Sequence, residues 1–265
     1  MQFSATPPTI LLLTLALLLL ILVVLYALRV QRGRLPAFRP LPGLMQLRTQ
    51  ISEIAETGRP IHLATGSSPA TAIGTTTETI ASLLIAQRIA EAATQRGGTV
   101  AATSGDIVAH AALRGSLHRA YRDAGFGSDF RTGSVQLAAQ NTAVAYAAGV
   151  AARYAAEPIA VSMVAGNLRT EALLITEEGA TRDIPQIAAT TSLDALPALT
   201  LSADRTLIGE ELFAAEAYLT DAPGPQARLM TQDALRWVVI ALLLAGIVWQ
   251  LLVVYQVIPP SFQLA

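Results

Sequence analysis

Residues 99–123, TVAATSGDIVAHAALRGSLHRAYRD, decide the fold. The run 99–103 reads as a short buried strand, and Ser104-Gly105-Asp106 as a polar junction. A helix follows over 106–123, with Ser104 or Asp106 placed to cap its first turn. The same unit recurs on both sides. Strand candidates lie at 61–64, 135–138, 158–165 and 186–189, with a weaker one at 199–201. Helices are expected over 45–56, with Leu47, Ile51 and Ile54 on one side, and over 78–95, with Ile80, Leu83, Leu84 and Ile89 on one face. Thr75 and Glu78 have capping-box spacing there, and Gly97-Gly98 stops the helix. Further helices are expected at 142–156 (alanine-rich, capped by Asn141), 168–178 (capped by Asn167) and 205–219 (capped by Asp204). Strand alternating with helix across short polar junctions predicts an α/β domain, a Rossmann-like mostly parallel sheet with helices on both faces. A closed eightfold barrel needs more strands than the sequence offers.

This domain lies between two apolar stretches, 10–28 and 237–258, each long enough for a bilayer core of roughly 30 Å. Arg29, Arg32, Arg34 and Arg39 follow the first, and Arg228 and Arg236 precede the second. The outer tails, 1–9 and 259–265, carry no charged side chain. Positive charge stays on the cytoplasmic side, so the expectation is a two-pass protein of the plasma membrane, both termini outside and the domain inside. The organisation expected is therefore tail 1–9, span 10–28, juxtamembrane linker 29–44, cytoplasmic domain 45–222, linker 223–236, span 237–258 and tail 259–265. A cleaved signal fits poorly, because the residues before the apolar run include no Arg or Lys. Neither apolar stretch contains Asp, Glu, Lys or Arg, which argues against an ion or proton path. Thr14 and Gln250 sit at comparable depths. They are expected to meet as the two helices pack, with Gly246 allowing close approach. The arginines of the first linker, interrupted by Pro36, Pro40 and Pro42, are placed to touch anionic lipid headgroups.

Composition excludes several chemistries. There is no cysteine, hence no disulfide, thiolate zinc site or thiol nucleophile. All 18 basic residues are arginine, which removes Schiff-base lysines and a P-loop lysine. A net charge of -1 gives no field for nucleic acid. With His62, His110 and His118 as the only histidines, a histidine-rich metal centre is not expected, and no cofactor is implied.

In a parallel sheet the ligand crevice lies outside the carboxyl ends of the strands. The junctions there are rich in hydroxyl and glycine residues. Thr65, Gly66, Ser67 and Ser68 follow the first strand, Ser104, Gly105 and Asp106 the second, and Gly166 and Asn167 a later one. Such residues can present N–H groups to a small anionic or nucleotide-like ligand. Helix capping calls for the same residue types with no ligand at all. The stretch 65–77 is longer than a cap requires, yet it matches neither GxxxxGK nor GxGxxG. Asp106, His110, Arg114 and His118 recur at steps of four. An acid–base reading pairs Asp106 with His110, but no matched nucleophile accompanies them, and a solvated helix face explains the spacing as well. Glu210 and Glu211 point about 100 degrees apart on a helix, so they do not form a paired-carboxylate site.

The runs LRTQISEIAETGRPIHLATG (47–66) and ADRTLIGEELFAAEAYL (203–219) resemble an uncharacterised family of bacterial membrane proteins. In that family a cytoplasmic domain of unknown function sits between membrane spans. The resemblance implies no activity. The expectation is a membrane-anchored module that binds a partner or associates with itself without catalysis. The alternatives are a sensor for a small anionic ligand and an enzyme working near the membrane surface.

Overall fold

The computed structural model describes residues 7–33, 38–68, 76–140 and 142–255, with the side chains of 7–15 and 253–254 outside that description. The chain divides into two compact units, 39–220 and the paired ends 1–38 and 221–265.

The central unit is a six-stranded sheet in the order β3-β2-β1-β4-β5-β6, every neighbouring pair parallel. The strands are β1 (Ile61–Ala64), β2 (Val100–Ser104), β3 (Val135–Leu137), β4 (Val161–Ala165), β5 (Gln186–Thr190) and β6 (Arg205–Ile208). β1, β2, β4 and β5 are buried along their whole length, as a sheet covered on both faces requires. The alternation of side chains sorts them cleanly. Ile61, Leu63, Val100, Ala102, Val161 and Met163 join one core with α2 (Pro42–Thr57), α3 (Thr76–Thr94), α4 (Ile107–Asp123) and α8 (Glu210–Leu219). Ala64, Val164 and Ala188 join the other, with α5 (Ala143–Ala156), α6 (Ala172–Thr181) and α7 (Leu196–Ser202). The change of face follows from topology. Strand addition runs outward from β1 to β3, then restarts at β4 on the other side. Because such crossovers are right-handed, reversing direction moves the helices to the opposite face.

Several sequence expectations need correction. Residues 199–201 are not a strand, since they lie in α7, which Pro197 starts in its first turn. The expected helix 205–219 is two elements. Arg205–Ile208 is β6, and Gly209, with φ 62°, breaks it from α8. Asp204 does not cap a helix; its carboxylate accepts the Gln186 N–H at 2.7 Å, fixing β5. Asn167 is not the cap of α6, whose N-cap position is Glu171. The juxtamembrane linker ends earlier than expected, because α2 begins at Pro42 and Leu41 and Leu44 are already core. Asn141 and Thr75, both expected caps, lie outside the described residues.

The paired ends form α1 (Pro7–Gln31) and α9 (Pro223–Val254), which pack along each other. The expected linker 223–236 is therefore helical, continuous with the apolar segment. Among the described residues one helix, Pro223–Leu252, is long and apolar enough to cross a membrane; the apolar part of α1 counted there, Ala16–Gln31, is shorter. Thr14's side chain lies outside the described residues, so its expected meeting with Gln250 does too. Gln250 is exposed, and no described atom lies within 4 Å of a Cβ built on Gly246.

One layer of the core is polar. His62 of β1 is fully buried between Ser162 of β4, 3.1 Å from Nδ1, and Thr103 of β2, 2.9 Å from Nε2. The Tyr154 hydroxyl is 2.6 Å from Ser162 Oγ, and its ring meets the His62 ring edge-on. Both imidazole nitrogens thus have hydroxyl partners, which is what allows a polar ring in the core. Burial first, then the positive Arg153, pull the His62 imidazole down to about 3, so it is neutral in the folded protein at neutral pH. Burial also pushes the Tyr154 hydroxyl well above its ordinary value.

This gives a pH prediction with a definite sign. Unfolded, His62 takes up a proton near 6.5, and folded only near 3. Between these values the unfolded chain binds the extra proton. Stability therefore falls as pH drops below about 6.5, by up to ~1.4 kcal/mol per pH unit from this group. Denaturant titrations of the full chain at pH 7.5 and 5 should show it. His62→Gln should start less stable, yet lose about 2 kcal/mol less over that interval.

Candidate functional site

The order 3-2-1-4-5-6 places the topological switch between β1 and β4, and their carboxyl ends are where such folds bind ligands. Thr65, Gly66, Ser67 and Ser68 leave β1 there, and Gly166 and Asn167 leave β4. The two connections touch directly. A Cβ on Gly166 would sit 2.7 Å from the Thr65 carbonyl oxygen, and Gly166 has φ 136°. A Cβ on Gly105, after β2, would sit 2.6 Å from Ser67 Cα. Only glycine permits these approaches. Gly105 N–H donates to the Gly66 carbonyl at 3.0 Å, Gly66 N–H to the Tyr146 hydroxyl at 3.0 Å, and Gly166 N–H to the Ala189 carbonyl at 3.0 Å. These three N–H groups are thus engaged by the protein itself. Tyr146 is wholly buried, and burial raises its hydroxyl far above the ordinary range, so it stays a neutral phenol.

Side chains add to these contacts among the described residues. Ser67 Oγ donates to Glu171 Oε1 at 3.2 Å, and Ser68 Oγ to Asn167 Oδ1 at 2.8 Å. The Asn167 amide donates in turn to the Glu78 carboxyl. The sequence-predicted residues Thr65, Gly66, Ser67, Ser68, Gly105 and Asn167 therefore come together, but as partners of one another and of two buried glutamates. Ser104 and Asp106 form a separate knot. Ser104 Oγ bonds backbone atoms of Asp106, and Asp106 Oδ2 accepts the N–H groups of Val108 and Ala109 at 3.0 and 2.9 Å. Asp106 is thus the cap of α4, and these bonds hold its carboxylate on the backbone.

Three helix N-termini at this edge already hold a carboxyl group, while Arg169, in the same β4 connection as Asn167, is exposed. Helix N-termini attract anions. Here Glu78 in the first turn of α3, Asp106 at the N-cap of α4 and Glu171 at the N-cap of α6 are all buried at those positions. The carboxyl groups occupy the places an anionic ligand would take. Sequence reading passed over Glu78 as a site residue and missed Glu171. The polar alternation of His62, Thr103 and Ser162 was a further available signal, since in three adjacent strands it puts them on one face.

A family model described as a domain of unknown function, DUF6754, matches residues 3–259. The chain belongs to the DUF6754 family. No curated protein and no solved structure matches it. Family membership thus confirms an uncharacterised family and supplies no reaction. Among the described residues no three of His, Asp and Glu gather as a metal site. A depression of about 410 Å³ lies at the opposite edge of the sheet, lined by Arg59, Tyr154, Glu157, Arg182 and Asp183 among others. Glu157 there pairs with buried Arg153 at 3.2 Å, and Arg182 with Glu178 at 2.5 Å. In α8 Glu216 is buried and binds Arg88 at 3.1 Å, which ties α8 to α3.

The glycine contacts can be tested by size. Gly166→Ala and Gly105→Ala should each destabilise the full chain by about 2 kcal/mol or more, through overpacking and, at Gly166, backbone strain. Gly115→Ala, with nothing within 4 Å and a mid-helix position, should be neutral or stabilise by up to about 1 kcal/mol. Thermal unfolding of the three variants separates these outcomes.

Proposed function

We propose that this chain is a membrane-tethered, non-catalytic module whose α/β unit docks a protein surface through the carboxyl edge of its sheet. The observation that carries the reading is an apolar rim around a self-filled crevice. Ile107 and Val108 in the first turn of α4, Leu137 at the end of β3, Val144 at the start of α5, Leu193 beyond β5 and Ile208 at the end of β6 are all exposed. Leu193 keeps 79% of its surface. Spread along the described part of the edge, these side chains suit a broad macromolecular contact better than a small molecule. The docked surface belongs to a second copy or to another protein.

The tether is a two-pass arrangement with both termini outside and the domain cytoplasmic. It is supported by the apolar helix Pro223–Leu252, the apolar sequence of α1 and the arginines confined to the inner flanks. Because the chain has no cysteine, single cysteines at positions 4 and 193 can be labelled independently with an impermeant maleimide in intact cells. Label at 4 and none at 193 is the expected pattern; the reverse overturns the orientation.

A second reading, a small ligand at the switch point, draws support from the strand order. An anion there would first have to displace the Glu78 and Glu171 contacts. The catalytic alternative through Asp106 and His110 would have to release Asp106 from its cap.

Photocrosslinking in cells decides for or against docking. A benzoylphenylalanine at Leu193 should give a discrete adduct, of twice the chain mass for self-association or of another mass for a partner. The same probe at Leu201, exposed at the far end of α7, should give none. Equal adducts at both positions, or none at Leu193, would contradict the reading.

A further inference from the structure

We propose that Leu25, Leu28 and Arg29 of α1, with Arg32 in the turn that ends it, form a binding site for one anionic phospholipid, the two guanidinium groups holding its phosphate and the two leucines its acyl chain. The inference rests on the reading above that α1 lies in the membrane. The four residues fall at i, i+3, i+4 and i+7, a single stripe on a helix. All four are exposed and together line a depression of about 460 Å³. Val30, nearly opposite the stripe, is buried, so the stripe is the outward side of α1 at this level.

The stripe changes character along its axis. Leucines come first and arginines one turn later, near the end of the helix, where Gly33 turns the chain with φ 78°. A phospholipid has the same order, hydrocarbon below and phosphate above. The spacing also suits the phosphate. Guanidinium groups one turn apart can converge on the same oxygens, and arginine is the side chain best shaped for that contact. α1 contains no Asp or Glu, so no carboxylate on the helix competes for the arginines. The helix C-terminus carries roughly half a negative charge, which two full positive charges exceed. A zwitterionic headgroup brings its own ammonium to the phosphate, whereas an anionic headgroup leaves the arginines as its counter-ions. The site therefore selects net negative lipids such as phosphatidylglycerol.

Native mass spectrometry of the detergent-purified full chain tests the site, with phosphatidylglycerol, phosphatidylcholine and inorganic phosphate added separately. Phosphatidylglycerol should be retained at least about fivefold more than phosphatidylcholine, the scale of one interfacial arginine. The double variant Arg29→Gln, Arg32→Gln should lose that preference, and the double variant Arg59→Gln, Arg182→Gln should keep it. Equal retention of the two lipids, or a preference that survives the first variant or vanishes in the second, would overturn the site. Displacement of the lipid by millimolar phosphate would overturn the lipid as its occupant in favour of a free anion. Alkaline extraction of the vesicle-reconstituted protein is read in parallel. Release from the vesicles sinks the membrane reading itself, while retention with no lipid preference sinks only this site.

Discussion

The close approach of the β1 and β4 connections is the constraint on which the rest of the α/β unit depends. Parallel neighbours at the switch point deliver two chain segments to the same place, and their backbones must either part around a ligand or pack on each other. Here they pack. Gly166 lies against the Thr65 carbonyl and Gly105 against Ser67, distances that a Cβ at either position would violate. With the backbones this close, their N–H groups find protein acceptors, and the serines reach Glu171 and Asn167 across the gap. Among the described residues, the protein's own groups fill the space between these connections. Among the described residues, several exposed apolar side chains also lie along that edge.

The same contact connects with the polar layer beneath it. Tyr146 accepts from Gly66 and reaches the Thr103 carbonyl at 3.4 Å, while the Thr103 hydroxyl meets His62, which meets Ser162 and Tyr154. Polar groups thus run under α5 along one face of the sheet. Each buried member has a partner, so the layer fixes strand register where an apolar core would tolerate slippage. Neutrality of His62 is part of the arrangement, because a charged imidazole beside Arg153 would leave two buried cations together.

Much of this fold was legible in the sequence. Strand–junction–helix units centred on 61–64, 99–123 and 135–156 stand at or within a residue or two of their expected places, because buried parallel strands read as short apolar runs and polar junctions mark their ends. The swap at 199–208 was not legible. Leu199 and Leu201 alternate like a strand, yet Pro197 starts a helix there, while β6 is an edge strand with one buried residue and so lacks an apolar run. At the crevice the sequence named residues that the structure brings together, but not the partners that hold them. Hydroxyls and glycines serve loop packing and anion binding alike. The deciding partners, Glu78 in a first turn and Glu171 at an N-cap, sit where acidic residues are ordinary helix chemistry. Sequence spacing carries no sign of which carboxyl group crosses to which loop.

The central claim is that the switch-point connections are packed core. Amide hydrogen exchange of the full protein, read at Gly66, Gly105 and Gly166, tests it most directly. Each N–H has a protein acceptor, so exchange should be as slow as in the middle of β1 and β4, opening only with the unit as a whole. Exchange at these three glycines orders of magnitude faster than in the neighbouring strands would contradict the account and return the crevice to the status of an open ligand cleft.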